Sequence, residues 1–272
     1  MRHLLLLACL LAPLTGLAAE SIQRVDGLEV DQVIVYGAVE VEISQGEPTL
    51  LLLRGPESSL GVEPFYTRDS TLVLGMTADG KGRKSDLAGV KFKLTMPDLE
   101  ALSLQGSGDV YLKPMTVTDL DVTLDGSGDI KLFALKGRNV SLKMSGSGDI
   151  QLVELQAEAV GLTLSGSGDI DLGTLAVKTA KASLSGSGDI ALADDGTTDE
   201  LALNIVGSGD VDLAGLDSKR SSINIVGSGT ATVGRSESMA VNIMGSGDVY
   251  YRGKPNIQQT IIGSGDLHTT GD

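Results

Sequence analysis

The tripeptide Gly-Ser-Gly occurs nine times in this chain of 272 residues, starting at Gly106, Gly126, Gly146, Gly166, Gly186, Gly207, Gly227, Gly245 and Gly263. The spacings are 20, 20, 20, 20, 21, 20, 18 and 18. A fixed period of this size marks one structural unit repeated, each unit burying its apolar face against the next. Around each copy the apolar residues alternate with polar ones. Val122 and Leu124 precede the corner at Gly126, and Ile130 and Leu132 follow it, with Thr123 and Lys131 between them. Leu162, Leu164, Ile170 and Leu172 repeat the pattern around Gly166, as do Leu203, Ile205, Val211 and Leu213 around Gly207. Period two is the signature of a half-buried strand. A Leu nine positions after the first glycine (Leu135, Leu155, Leu175, Leu216) adds a third inward contact.

No stretch between corners has room for two strands and a helix. The repeat therefore predicts an all-β fold. It is a right-handed parallel β-helix, or β-solenoid, of about nine coils of 18–21 residues over 101–272. Successive coils would stack about 4.8 Å apart. Residues 20–100 carry further strands, such as Val39–Ile43, Leu50–Leu53, Leu72–Leu74 and Val90–Leu94, separated by turn-forming Gly and Pro. They are expected to cap or start the solenoid as part of one continuous fold, since solenoid ends need protection.

Residues 1–19 read as a secretory leader. Arg2 and His3 precede an apolar run from Leu4 to Leu14, and Gly16-Leu17-Ala18-Ala19 offers a small-residue cleavage site. That run is shorter than the roughly 20 residues a membrane-spanning helix needs. Cys9 lies too early in it for a lipid-anchored start. Cleavage leaves no cysteine, so packing and hydrogen bonds alone must hold the exported fold.

The segments Val33-Ile34-Val35, Val39 to Gly46 and Pro97-Asp98-Leu99, followed by the recurring Ser-Gly-Ser-Gly-Asp-Ile, resemble the bacterial GIN-domain family, the head of an auto-transporter adhesin. The resemblance covers nearly the whole mature chain and implies an exported, helix-like all-β protein of the periplasm or cell surface. An auto-transporter carries a membrane barrel of alternating ten-residue strands. This chain reaches Asp272 seven residues after Gly265, so export by that route is not expected of it.

Composition narrows the function. The net charge is −15 and no basic stripe is present, which argues against nucleic acid and anionic lipid as partners. After the leader the only His is His268, so neither a catalytic triad nor a histidine zinc site can be assembled within the chain. Gly75 to Lys81 approaches a phosphate-binding loop, but Gly82 stands where Ser or Thr is required. No catalytic residue or cofactor is expected. The expected function is that of a non-enzymatic structural or binding module engaging an envelope or surface protein or a glycan. The alternatives are a polysaccharide lyase or hydrolase on the same fold, or an envelope signalling or stress partner. Scarce aromatics and the absence of Trp weigh against the enzyme.

Two columns stand out. Asp109, Asp129, Asp149, Asp169, Asp189 and Asp210 fall in consecutive coils, with Thr230 interrupting before Asp248 and Asp266. Like charges 4.8 Å apart repel by roughly 1 kcal/mol in water and 3–4 kcal/mol at an effective dielectric of 20. Hydrogen bonds within each turn or Ca²⁺ between coils could offset this. One carboxylate per 20 residues is thin for an ion that takes six to eight oxygens, so these six are weak metal candidates. The residue before each corner should face outward. It is polar in the first five coils but apolar in the last four, as Val206, Val226, Met244 and Ile262, beside Asn204, Asn224 and Asn242. The stripe is expected to be covered by an N-terminal strand or by a second copy, or else to become extra core.

Overall fold

The computed structural model describes residues 20–80, 87 and 89–271. The expected leader at 1–19, with Cys9, and the basic residues Lys81, Arg83 and Lys84 lie outside them. Strand accounts for 69% of the chain and helix for 2%, in a β-solenoid of about eight turns, close to the nine coils expected.

Each coil is two strands joined at the glycine corner. From Ala101 onward the register is parallel and in phase with the repeat: Gly126 pairs with Gly106 and Gly146, and Gly166 with Gly186. Both glycines of a corner are required, for different reasons. Gly166 has φ +143°, a region closed to L side chains, and a Cβ at Gly168 would collide with the Gly148 carbonyl oxygen. The corner is stitched by backbone: Ser167 N–H donates to the Gly146 carbonyl at 3.0 Å, and Ser147 N–H to Gly126 at 2.9 Å. Hydroxyl–hydroxyl bonding between stacked corner serines does not occur among the described residues; Ser147 and Ser167 are exposed while their N–H groups carry the ladder.

The inner columns are buried as the period predicts. Leu124, Leu164, Ile205 and Ile170 are 0% exposed, Ile130 1% and Leu172 2%. The third column, through Leu135, Leu155, Leu175 and Leu216, is buried too.

The N-terminal strands are β1 (Glu20–Asp26), β2 (Gln32–Gly37), β3 (Glu40–Gln45), β4 (Leu50–Pro56), β5 (Phe65–Arg68), β6 (Thr71–Leu74), β7 (Lys91–Met96), β8 (Ala101–Gly106) and β9 (Asp109–Leu112). β2 and β3 form a full coil with Gly37-Ala38-Val39-Glu40 in place of Gly-Ser-Gly-Asp. Gly37 pairs with Gly106, and Glu40 with Asp109. β6 and β7 pair with the opposite edges of β2 and β3. The first coil in sequence is therefore the second in space, held between a later one and the solenoid proper. β4 runs antiparallel to β7, β1 antiparallel to β4, and β5 antiparallel to β6. This reversal of direction ends the stack, and the edge strand β1 turns the Arg24–Asp26 pair toward solvent, with its Glu20 paired to Arg54 of β4.

Candidate functional site

The aspartate column runs on the outer side of the corners, and its charges are managed by the coil above. Oδ1 of Asp129 accepts the N–H of Asp149 at 3.2 Å, and Asp149 accepts from Asp169 at 3.1 Å. Asp169 and Asp189 accept in turn from Asp189 and Asp210, each at 2.9 Å. The bonds thus run between coils, not within each turn as an Asx turn would place them. Thr230 N–H closes the run onto Asp210 at 2.7 Å, and Thr230 offers no carboxylate to the next coil. The ladder restarts with Asp266 N–H on Asp248 at 2.9 Å. Among the described residues no three His, Cys, Asp or Glu side chains converge as a metal site. His268 is stacked on Tyr250, with ring centroids 4.9 Å apart.

Among the carboxylates of the described residues, upward pKa shifts appear at Asp109 and Asp171. Burial, then Asp129 and Glu40, raise Asp109; burial, then Asp169 and Asp149, raise Asp171, which lies on the strand beside the column. A folded-state pKa above the unfolded one makes the charged form a cost at neutral pH, relieved as pH falls through the folded value. Asp171→Asn should therefore raise the melting temperature by about a degree at pH 7. That gain should shrink on acidification toward pH 4. Paired thermal melts at the two pH values check it; a gain that grows on acidification would reverse the sign.

A second outer column solves the same problem by alternation. Arg138, Glu158, Lys178, Asp199, Lys219 and Glu237 follow one another coil by coil with alternating sign. Lys178 meets Glu158 at 2.8 Å and Lys219 meets Asp199 at 2.6 Å.

Beside this column lies a groove of about 920 Å³ over five coils. Its floor is built of small residues, Asn139, Ser141, Ala159, Gly161 and Thr179, alternating with the buried Val140 and Val160. Glu100, Asp119 and Asp121 stand at one end and Lys181 at the other. Asp119 is bound by Arg138 and Asn139, which hold its carboxyl below the usual range, and Asp121 Oδ2 receives Lys143 at 2.6 Å. Asp121 Oδ1 is buried and accepts no hydrogen bond. Gly161 is a mid-strand glycine without steric need: a Cβ there would meet nothing within 4 Å. Glycine weakens a strand interior and marks places where something else approaches closely. None of the groove residues belongs to the site candidates taken from the sequence. The available signal was Gly161, the one repeat to put Gly where its neighbours have Asp121, Ser141 and Lys181.

The apolar stripe does face outward. Val206 is 42% exposed, Val226 36%, Met244 49% and Ile262 61%, in register from coil to coil. It is not extra core, and β1 does not cover it, since β1 pairs with β4 at the other end. The asparagines beside it form a ladder: Asn224 Nδ2 donates to Asn204 Oδ1 at 2.7 Å, and Asn242 Nδ2 to Asn224 Oδ1 at 2.8 Å.

These features define a parallel β-solenoid whose outer faces are ordered columns of identical or complementary side chains. The family model described as "Putative auto-transporter adhesin, head GIN domain" matches residues 29–194 and 153–255, and the chain belongs to that family. A search of curated protein sequences finds no match. Among solved structures, a putative adhesin from Parabacteroides distasonis is similar at 19% identity and TM-score 0.69, over 93% of this chain and 98% of that one. A putative lipid binding protein from the same organism is similar at 22% identity and TM-score 0.66, over 92% and 96%. A putative adhesin from Parabacteroides merdae is similar at 16% identity and TM-score 0.64, over 92% and 96%. At these identities the likeness is one of fold. No helix among the described residues is long and apolar enough to cross a membrane.

Proposed function

We propose that this protein is an exported, non-enzymatic adhesin-head module of the bacterial cell envelope that binds a neutral surface glycan in the groove over Gly161. The observation that carries the reading is the groove floor, a strand position left without a side chain that the fold has room to hold. Ser141, Thr179 and Asn139 can each donate and accept, Glu100 accepts, and Lys181 donates. Closely spaced sugar hydroxyls, which do both, match that mixture better than an apolar or singly charged ligand. Asp119 is held ionised by Arg138 and Asn139, so it does not supply the protonated carboxyl that a glycosidase needs near neutral pH.

Gly161→Val tests the assignment. Valine favours strands, its Cβ meets no neighbour there, and it should leave the fold as stable or slightly more so. It should also weaken binding at least tenfold by filling the floor. The probes are neutral tetrasaccharides of glucose, mannose and N-acetylglucosamine, titrated by calorimetry. Saturable binding of one of them, lost in the variant, supports the groove. Binding of none, or binding that survives the substitution, removes it.

A further inference from the structure

We infer that the outer sheet face of the last four coils is a self-association surface whose occupant is a second copy of this chain. The inference is independent of the glycan groove. On strands 196–207, 216–227, 231–245 and 256–263, no outward residue from the Ala202 column to the Ser208 column is charged. The same columns in the preceding coils carry Asp121, Asp125, Lys143 and Lys181. In a chain of net charge −15 this is where two copies can approach without opposing carboxylates or desolvating an ion.

The face is also self-complementary. Its apolar column and its asparagine ladder lie side by side, about 6.6 Å apart at two residues of strand rise. A two-fold axis along the strands sets apolar column on apolar column and ladder on ladder, with Val226 against the partner's Met244. Stacked in-register strands with an apolar row and an amide ladder are the elements of a dry sheet-to-sheet contact. The ladder bonds already fix the amides, so docking orders little that was free. The face measures roughly 15 by 20 Å from strand spacing and rise. That is below the ~800 Å² per partner of a standard interface. The dimer should therefore be weak, with Kd of about 10 µM or more.

Sedimentation velocity on the leader-free chain, over a hundredfold concentration range up to roughly 0.5 mM, tests this. The wild type should move from monomer toward dimer, and added salt should strengthen the association by screening the acidic bodies. Val226→Ser with Met244→Gln should stay monomeric at every concentration with unchanged circular dichroism and melting. Ile262→Lys, at the most exposed position, should weaken the dimer at least tenfold without touching the interior. A wild type that is monomeric throughout would overturn the inference, as would folded variants that associate as well as it does.

Discussion

Leu164→Asp should leave no stably folded solenoid. Leu164 is 0% exposed and lies between Met144 and Leu184 in its column. The substitution removes the packing of a buried leucine, about 2–5 kcal/mol. It also buries a carboxylate with no partner, at several kcal/mol more. Domains of this size hold about 5–15 kcal/mol in total, so the melting temperature should fall by more than roughly 10 °C. Thr163→Asp, one residue away on the exposed face, should melt within about 2 °C of wild type. Circular dichroism melts of the pair check both the architecture and the register. A soluble Leu164→Asp protein with an undisturbed melt would contradict them.

Gly166→Ala should be nearly as damaging, and Ser167→Ala almost silent. Alanine at Gly166 must adopt φ near +143° and set its methyl group against the Gly146 carbonyl oxygen. The first effect alone costs of order 1–3 kcal/mol. The second forces the coils apart and weakens the bond from Ser167 N–H to Gly146. A loss of about 3 kcal/mol or more is expected. The Ser167 side chain is exposed, so its removal should change stability by less than about 0.5 kcal/mol. Denaturant titration of the two variants should separate them clearly. Equal losses would mean that the hydroxyl column, and not the glycine backbone, holds the corner.

Much of this fold was legible because two periods coincide. Alternation assigns Leu124, Leu164 and Ile205 to the interior, and the repeat stacks them into columns. The same rule places Val206 to Ile262 outside. The Gly37 coil was hidden because its corner reads Gly-Ala-Val-Glu and its neighbours in space are distant in sequence. Glu40 lies beside Asp109 and beside Lys91 although 51 residues separate it from the lysine. For the aspartates, spacing predicted the column and the repulsion but not which amide answers each carboxylate; that depends on a register no single coil contains. The groove was harder still. It is formed by what Gly161 lacks, and a missing side chain leaves only a weak mark on a pattern of apolar alternation.

Amide hydrogen exchange with and without the neutral tetrasaccharide that binds, coupled to analysis of the recovered sugar, tests the central claim most directly. Bound sugar should slow exchange around residues 139–141, 159–161 and 179–181, where the groove floor lies. The tetrasaccharide should be recovered intact after prolonged incubation, with or without Ca²⁺. Protection confined to other coils, or any new reducing end, would contradict a non-enzymatic adhesin head that binds over Gly161.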